Sequence, residues 1–471
     1  MWYNHFEKIS MTEFDMKKAG RILGGTIIGI VLMALILCVA AFVENSGKTY
    51  TYIGKTVFVA GQSFDFDDSR ILQKNENGEV TRKIRIGKND VYDFSTENAG
   101  SGEFVVRVAN TTVSVPYTVC SDTQNLGEKK CEVISGTQAR IYRDLIYGTR
   151  LGEINSANNQ TFDVYLPDAL GRIKPAAPVV LIVHGGAWMS GDKNGDVNAL
   201  CDALVREGFV VFSMNYRLAT MKIGGGTIGQ MLSDIDAMVA HIKLLLPEIG
   251  VNATKIGIGG ISAGGHLSSL YAYKKGRTAP IEIAFEIDIV GPNQFSDIGY
   301  KKTIEPYFYA TYAGDKLASI KKILQPMLVE LLYSMSGFPD ESIPELELIR
   351  KGELAADADL TALWSKIDEF SPVTYIDAGS CPTILAYGAI DKSTSDNFLL
   401  NLFPDDVTTD SMVPTTCYDT MVKLLKENNV PYVGQIFYGY DHTAVACISG
   451  KPSLEWIVEQ VKEFSAKYIK P

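Results

Sequence analysis

The run Gly260-Ile261-Ser262-Ala263-Gly264 limits what this chain can fold into more than any other stretch. Before it, Lys255-Ile256-Gly257-Ile258-Gly259 has the character of a buried strand; after it, Gly265 to Lys274 has the character of a helix. A strand that turns at once into a helix lifts the central serine onto a strained corner, with its hydroxyl exposed above the sheet. Glycines flank the corner because a side chain there would collide with neighbouring backbone. The helix starts under the hydroxyl, so its free N–H groups and dipole favour a developing negative charge. The pattern alone is common, and its meaning depends on what surrounds it.

What surrounds it, over residues 136–471, is an alternation of strand-like and helical runs. That rhythm marks an α/β domain with a mostly parallel sheet and helices on both faces. Ala139 to Tyr147 and Thr161 to Leu166 can pair as an opening hairpin. Val179 to Val183 and Phe209 to Met214 are continuous apolar runs, as expected of strands covered on both faces. Ile256 to Ile261, Ile281 to Val290, Thr383 to Tyr387 and Gly434 to Tyr438 complete the set. Helices are expected at Val197 to Glu207, Met231 to Leu246, Tyr418 to Asn428 and Ser453 to Ile469. Thr227 and Gln230 have capping-box spacing ahead of the second of these. An insertion at 292–370 breaks the rhythm with two amphipathic stretches, Leu317 to Met335 and Glu353 to Ile367. Its place between two strands suits a helical cap over the strand ends, where ligands bind in such sheets.

The N-terminal third is different. Residues 1–21 carry Lys8, Lys17, Lys18 and Arg21, and Ile22 to Val43 is an uncharged run long enough to span a bilayer. The positive-inside rule places the N-terminus in the cytoplasm and the remainder outside. The run is longer than a usual signal-peptide core, which favours an uncleaved anchor over cleavage near Val39-Ala40-Ala41. Residues 45–135 then show short alternating runs separated by turn residues, such as Glu103 to Val108, Thr112 to Val119 and the Asn77-Gly78 turn. That pattern predicts a small antiparallel sandwich. The chain carries seven cysteines; Cys120 and Cys131 either close a short loop as a disulfide, worth roughly 2–3 kcal/mol, or remain free thiols. A net charge of −11 argues against nucleic acid as a partner, because phosphate binding needs a basic face.

A serine hydroxyl becomes a nucleophile when a base takes its proton, and the base needs an acid to orient it. Of the five histidines, His5 precedes the membrane segment, His241 falls in a helix, His184 lies in a glycine turn, and His266 is one turn into the helix after Ser262. His442 follows the last predicted strand, where a loop can present its imidazole to Ser262. The acid belongs at another strand end between the two, and Asp391 fits, after the apolar run Ile384 to Gly388. Asp396 and Asp441 are the alternatives; Asp441 is adjacent to His442 and points away in an extended segment. His184-Gly185-Gly186-Ala187-Trp188 follows the strand at 179–183. The N–H groups of Gly185 and Gly186, with that of Ala263, would form an oxyanion hole, each donor worth about 10²–10³ in rate. Trp188 is a candidate to line the substrate pocket, the alternative being a plain core residue.

Taken together, His184 to Trp188, Asn215-Tyr216-Arg217-Leu218, Gly260 to His266, Gly388 to Asp391 and His442 resemble the α/β-hydrolase esterases. They look most like the branch shared by hormone-sensitive-lipase-like carboxylesterases and the bacterial esterases related to feruloyl and acetyl-xylan esterases. The resemblance covers most of residues 139–471 and implies Ser262 as nucleophile, His442 as base, Asp391 as acid, and Gly185, Gly186 and Ala263 as oxyanion donors. The insertion is longer than many relatives carry, so substrate class does not transfer. The stretch from Tyr52 to Val119 resembles the bacterial Ig-like modules of cell-surface proteins, which implies a spacer or adhesive role. The expectation is a membrane-anchored, extracytoplasmic serine hydrolase of small or glycan-linked esters, needing no metal or cofactor. Its rivals are a peptidase or amidase on the same fold, and an inactive adhesion protein.

Overall fold

The computed structural model describes residues 49–471 apart from 54–56, 60–63, 65, 67–68, 76–79, 97–99, 109–110, 121–125, 149–159, 220–225, 306–344, 346–347, 350–352, 356–357, 395–399, 401–404, 444, 446–450 and 470–471. The expected membrane segment at 22–43, the amphipathic stretch at 317–335 and Asp396 lie outside the described residues. Among the described residues no helix is long and apolar enough to cross a membrane.

Seven short strands open the described chain: β1 (Thr49–Ile53), β2 (Val57–Val59), β3 (Arg70–Lys74), β4 (Val80–Arg85), β5 (Val91–Tyr92), β6 (Gly100–Val108) and β7 (Thr111–Cys120). They form two small sheets, ordered β1-β3-β4 and β2-β7-β6-β5. Strand alternation decides which residues meet between them. Phe104, Val106 and Val108 on β6 join Tyr52 and Ile71 of the other sheet in one apolar core. The rings of Tyr52 and Phe64 each meet Phe104 edge-on at 5.3 Å. Strand β3 does not show in the sequence, because Ile71 and Leu72 make too short an apolar run between Arg70 and Lys74 to signal a strand. Cys131 is an exposed free thiol, so the disulfide considered with Cys120 is not formed.

The main sheet takes the remaining strands: β8 (Glu132–Val133), β9 (Arg140–Gly148), β10 (Gln160–Leu166), β11 (Val179–Val183), β12 (Val210–Met214), β13 (Lys255–Ile261), β14 (Glu282–Ile289), β15 (Thr383–Ala389) and β16 (Tyr432–Tyr438). Their order is β16-β15-β14-β13-β11-β12-β10-β9-β8. β9 and β10 pair antiparallel, as the opening hairpin requires, and the six strands from β11 to β16 run parallel. All five residues of β11 are buried, because both faces are covered. Val179, Leu181 and Val183 enter one core and Val180 and Ile182 the other.

Helices α1 (Asn198–Arg206), α2 (Ile228–Glu248), α3 (Ala263–Lys275), α4 (Ile298–Ile304), α5 (Thr361–Ile367), α6 (Thr416–Glu427) and α7 (Pro452–Tyr468) accompany the sheet. α2 and α3 bury Met238, Ile242, Leu267 and Leu270 in the first core. α1 and α7 bury Leu200, Leu204, Ile457 and Val461 in the second. This is an α/β-hydrolase fold. The capping box is formed as expected: Thr227 Oγ1 accepts from Gln230 N–H at 3.2 Å, and Gln230 Oε1 accepts from Thr227 N–H at 3.1 Å. In the insertion, the helix expected from Glu353 starts only at Thr361. Asp359 accepts the Thr361 N–H at 2.9 Å, and a side chain that takes a first-turn donor favours a helix start there.

Two carboxyl groups lie under α3. Glu286 accepts from the hydroxyls of Ser269 at 2.9 Å and Ser268 at 3.3 Å. Asp288 accepts from Tyr387 at 2.7 Å and from the Gly291 N–H at 2.9 Å. Burial pushes both well above the ordinary carboxyl range, and for Glu286 the neighbouring Asp288 charge adds to the effect. The folded protein keeps such a proton after the unfolded chain has lost it. Stability from this site is therefore full below about pH 4 and falls as pH rises toward the folded-state values. Glu286→Gln keeps the acceptor for the serines and removes the ionisation. It is expected to raise the melting temperature by several degrees at pH 8, with the gain vanishing near pH 4. A pH series of thermal melts checks this, and a variant that melts lower than the parent at pH 8 would contradict it.

Candidate active site

Ser262 sits at the corner between β13 and α3 with φ 57° and ψ −121°. An L-residue rarely adopts this backbone, and such strain costs on the order of 1–3 kcal/mol. Two hydrogen bonds hold it: the Ser262 N–H donates to Ile289 O at 2.8 Å, and its carbonyl accepts from His266 N–H at 3.0 Å. Gly264 lets the helix start approach β11, since a Cβ there would lie 2.1 Å from Val183 O.

The hydroxyl has a partner. His442 Nε2 lies 2.8 Å from Ser262 Oγ. On the other side of the ring, His442 Nδ1 lies 2.7 Å from Asp410 Oδ2. Asp410 is fully buried, and its other oxygen accepts from the N–H groups of Met412 at 2.9 Å and Val413 at 2.7 Å. Its backbone carbonyl also accepts the His442 N–H at 2.9 Å, so the two loops are joined twice. Burial pulls the His442 imidazole down. The Asp410 charge and hydrogen bond, helped by Asp196 and Asp441, outweigh it and hold the ring above its ordinary value of 6.5.

Asp391, expected at this position, is elsewhere. Its carboxylate is exposed and accepts from the Ser393 hydroxyl at 2.7 Å and the Ser393 N–H at 2.8 Å. The reason is a detour after β15. Ile390 N–H donates to Thr409 O at 2.9 Å, so the chain leaves the sheet after Ile390 and returns to it at Thr409. Asp410 thus occupies the strand-end position by space and not by sequence. The sequence signal for it is faint: a polar Thr408-Thr409-Asp410-Ser411 run between the buried Val407 and Val413. Asp441 accepts from its neighbour Thr443 at 3.2 Å.

The loop after β11 carries further strain. Ala187 and Trp188 both have positive φ, 51° and 60°. Gly186 O accepts from Met189 N–H, Ser190 N–H and Ser190 Oγ, closing a tight turn. Of the three expected oxyanion donors, Gly185 is already engaged: its N–H donates to Asp196 Oδ2 at 3.0 Å. Of the other two, Gly186 lies in the turn and Ala263 opens α3 directly after Ser262. Trp188 is buried, and its indole N–H donates to His266 Nδ1 at 3.1 Å. That bond leaves the His266 proton on Nε2, which donates to Phe370 O at 2.7 Å. Burial drives the His266 ring down to about 4, against the pull of Phe370 O, so it is neutral at ordinary pH. Phe295 packs on both rings, 5.8 Å from Trp188 and 5.0 Å from His266. The place of His266 one turn into the helix gave no sign that it joins the turn, the nucleophile helix and the end of the insertion. Among the described residues no group of three His, Cys, Asp or Glu side chains is placed to hold a metal ion.

The BD-FAE family model matches residues 162–397, which span the glycine loop, the Ser262 corner and five of the parallel strands. The chain belongs to the BD-FAE family. The family match stops short of Asp410 and His442. Among curated proteins, this BD-FAE member is 28% identical over 255 residues to the probable carboxylic ester hydrolase LipM of Mycobacterium tuberculosis, covering 54% of this chain and 50% of LipM. It is 33% identical over 97 residues to the esterase LipC of the same organism, covering 21% of this chain and 23% of LipC. The chain thus spans about half the length of LipM and less of LipC. Among solved structures, esterase B from Lactobacillus rhamnosis aligns over 72% of this chain and 88% of its own, with 19% identity and a TM-score of 0.46.

If Asp410 orients His442, Asp410→Asn is expected to slow fluorophosphonate labelling of Ser262 by roughly 10³–10⁴-fold. Asp391→Asn is expected to label at the parental rate. The opposite pattern would return the acid's place to Asp391.

Proposed function

We propose that this chain is a serine carboxylic ester hydrolase working through Ser262, His442 and Asp410. The observation that carries the reading is the unbroken line from Ser262 Oγ to His442 Nε2 at 2.8 Å and from His442 Nδ1 to Asp410 Oδ2 at 2.7 Å. Kinship with proteins named as carboxylic ester hydrolases supports the choice of bond. In the first half-reaction Ser262 Oγ attacks the ester carbonyl while His442 Nε2 takes its proton. The N–H groups of Gly186 and Ala263 receive the oxyanion. Collapse of the tetrahedral intermediate breaks the ester C–O bond, and His442 gives its proton to the departing alcohol. Water then attacks the acyl-enzyme, His442 takes one of its protons, and the acid leaves as Ser262 is restored.

The setting of this chemistry is part of the proposal. The uncharged run at 22–43, preceded by basic residues, makes the protein a single-pass membrane protein with its hydrolase domain outside the cytoplasm. The seven-strand region serves as an Ig-like spacer, and the insertion at 292–370 as a cap over the strand ends. An ester on an extracellular glycan, or a small ester, suits that location. No cofactor enters the reaction.

The test is hydrolysis of p-nitrophenyl acetate, butyrate and octanoate by the full chain beside Ser262→Ala. The parent is expected to turn over the shorter esters, and the variant to lose at least about 10³-fold in kcat/KM. His442 must be neutral to accept a proton, so kcat/KM should rise with pH through the raised His442 value and level off above it. Equal hydrolysis by Ser262→Ala would sink the proposal.

A further inference from the structure

Gly185 lies between a carboxylate and the nucleophile. A Cβ on it would lie 2.4 Å from Asp196 Oδ2, 2.9 Å from Ile261 O and 3.2 Å from Ser262 Cβ. Glycine at this position therefore lets Asp196 and Ser262 close on the same backbone atom from two directions. Asp196 uses the approach: both of its oxygens accept the Gly185 N–H, at 3.0 and 3.3 Å. The carboxylate comes from the far end of the loop, two residues before α1, so the bond fastens the end of the glycine turn to its beginning. The turn it fastens is strained at Ala187 and Trp188. Asp196 also lies close enough to His442 for each to feel the other's charge. Burial pushes Asp196 up to about 6 against the Gly185 N–H and the His442 charge, so the carboxylate is kept beside the nucleophile at a cost. The reaction steps above give it no task, since Asp410 fills the acid's place and Gly185 is not a free donor.

We propose that Asp196 is a positioning residue: through the Gly185 N–H it holds the turn that aims Gly186 at the oxyanion, and it supplies a second negative charge to His442. The inference rests on the serine-hydrolase reading. An oxyanion donor must keep its place to within a fraction of an ångström, and a strained turn released at one end relaxes away from it. The charge has a separate effect. His442 faces Ser262 Oγ, Asp410, Asp441 and Asp196, and every charged neighbour in that set is negative. Asp196 faces the Gly185, Asp196 and Val197 amides and His442. Removing its charge lowers the affinity of His442 for a proton, so the base stays competent to lower pH.

Two variants separate the hydrogen bond from the charge. Asp196→Asn keeps an oxygen for the Gly185 N–H and loses the charge. Asp196→Ala loses both. In the full chain, Asp196→Ala is expected to lower kcat by about 10–100-fold with a smaller change in KM, and Asp196→Asn to recover most of that loss. Asp196→Asn is also expected to move the acid limb of kcat/KM to lower pH, which a purely structural role would not do. A parental kcat in Asp196→Ala overturns the turn-holding role, and an unmoved acid limb in Asp196→Asn overturns the charge role. Should Asp196→Ala fail to fold by thermal melt, the acid limb of Asp196→Asn decides the matter. Ser262→Ala run alongside keeps the two questions apart: hydrolysis that survives it removes the hydrolase reading itself, whereas hydrolysis that dies with it leaves the Asp196 variants to be judged alone.

Discussion

Everything at the site is measured from the strained backbone of Ser262. A residue at φ 57° and ψ −121° persists only where its surroundings leave it no easier conformation. Here β13 is locked between β11 and β14 on one side of the corner. On the other, α3 is locked by Leu267, Leu270 and Tyr271 in the core. The Ser262 N–H is tied across to β14 through Ile289 O. Apolar burial spread over two layers thus maintains a local conformation that the corner itself disfavours. The result is a hydroxyl that stands clear of its own strand and helix and meets an imidazole from a loop 180 residues away.

The second strained segment, the turn after β11, is held differently, by polar bonds. Tyr216 donates to His184 O at 3.1 Å, and its ring stacks on His184 at 4.3 Å. Asn215 Oδ1 accepts the Lys193 N–H at 2.7 Å, and Ala219 N–H donates to Trp188 O at 2.8 Å. Arg217 lies next in the chain, fully buried, with its guanidinium 2.7 Å from Asp234 on α2. Breaking one partner of such a buried pair strands a charge and is strongly destabilising. So the Asn215 to Leu218 motif accompanies the glycine turn because it clamps it, and Arg217 clamps the clamp. On the other flank, Trp188, His266 and Phe370 carry the same turn to the nucleophile helix and to the end of the insertion. A change in the insertion has a direct mechanical route to the turn.

The parts of this design that were legible in the sequence are those set by local pattern. Apolar runs of five or six residues located the parallel strands, and the strand-corner-helix around Ser262 follows from the glycines and the periods on either side. His442 could be chosen because only five histidines compete and only one follows the last strand. Asp391 went wrong at the point where that logic uses distance along the chain as a stand-in for distance in space. A β-bridge pairs Ile390 with Thr409, nineteen residues on in the chain, and Asp410 follows it. The packing of Trp188 on His266 and Phe295 was likewise out of reach of the sequence, since it depends on which elements meet in space.

By itself the sequence determined the fold class, the corner that exposes Ser262 and the imidazole that faces it, because hydrophobic period, glycine placement and residue scarcity are properties of the chain. Only the tertiary structure decided which carboxylate meets His442, and that Asp196 occupies the amide of Gly185. Those choices depend on where loops return in space and on which donors are already spent, and neither quantity is written in the spacing of residues along the chain.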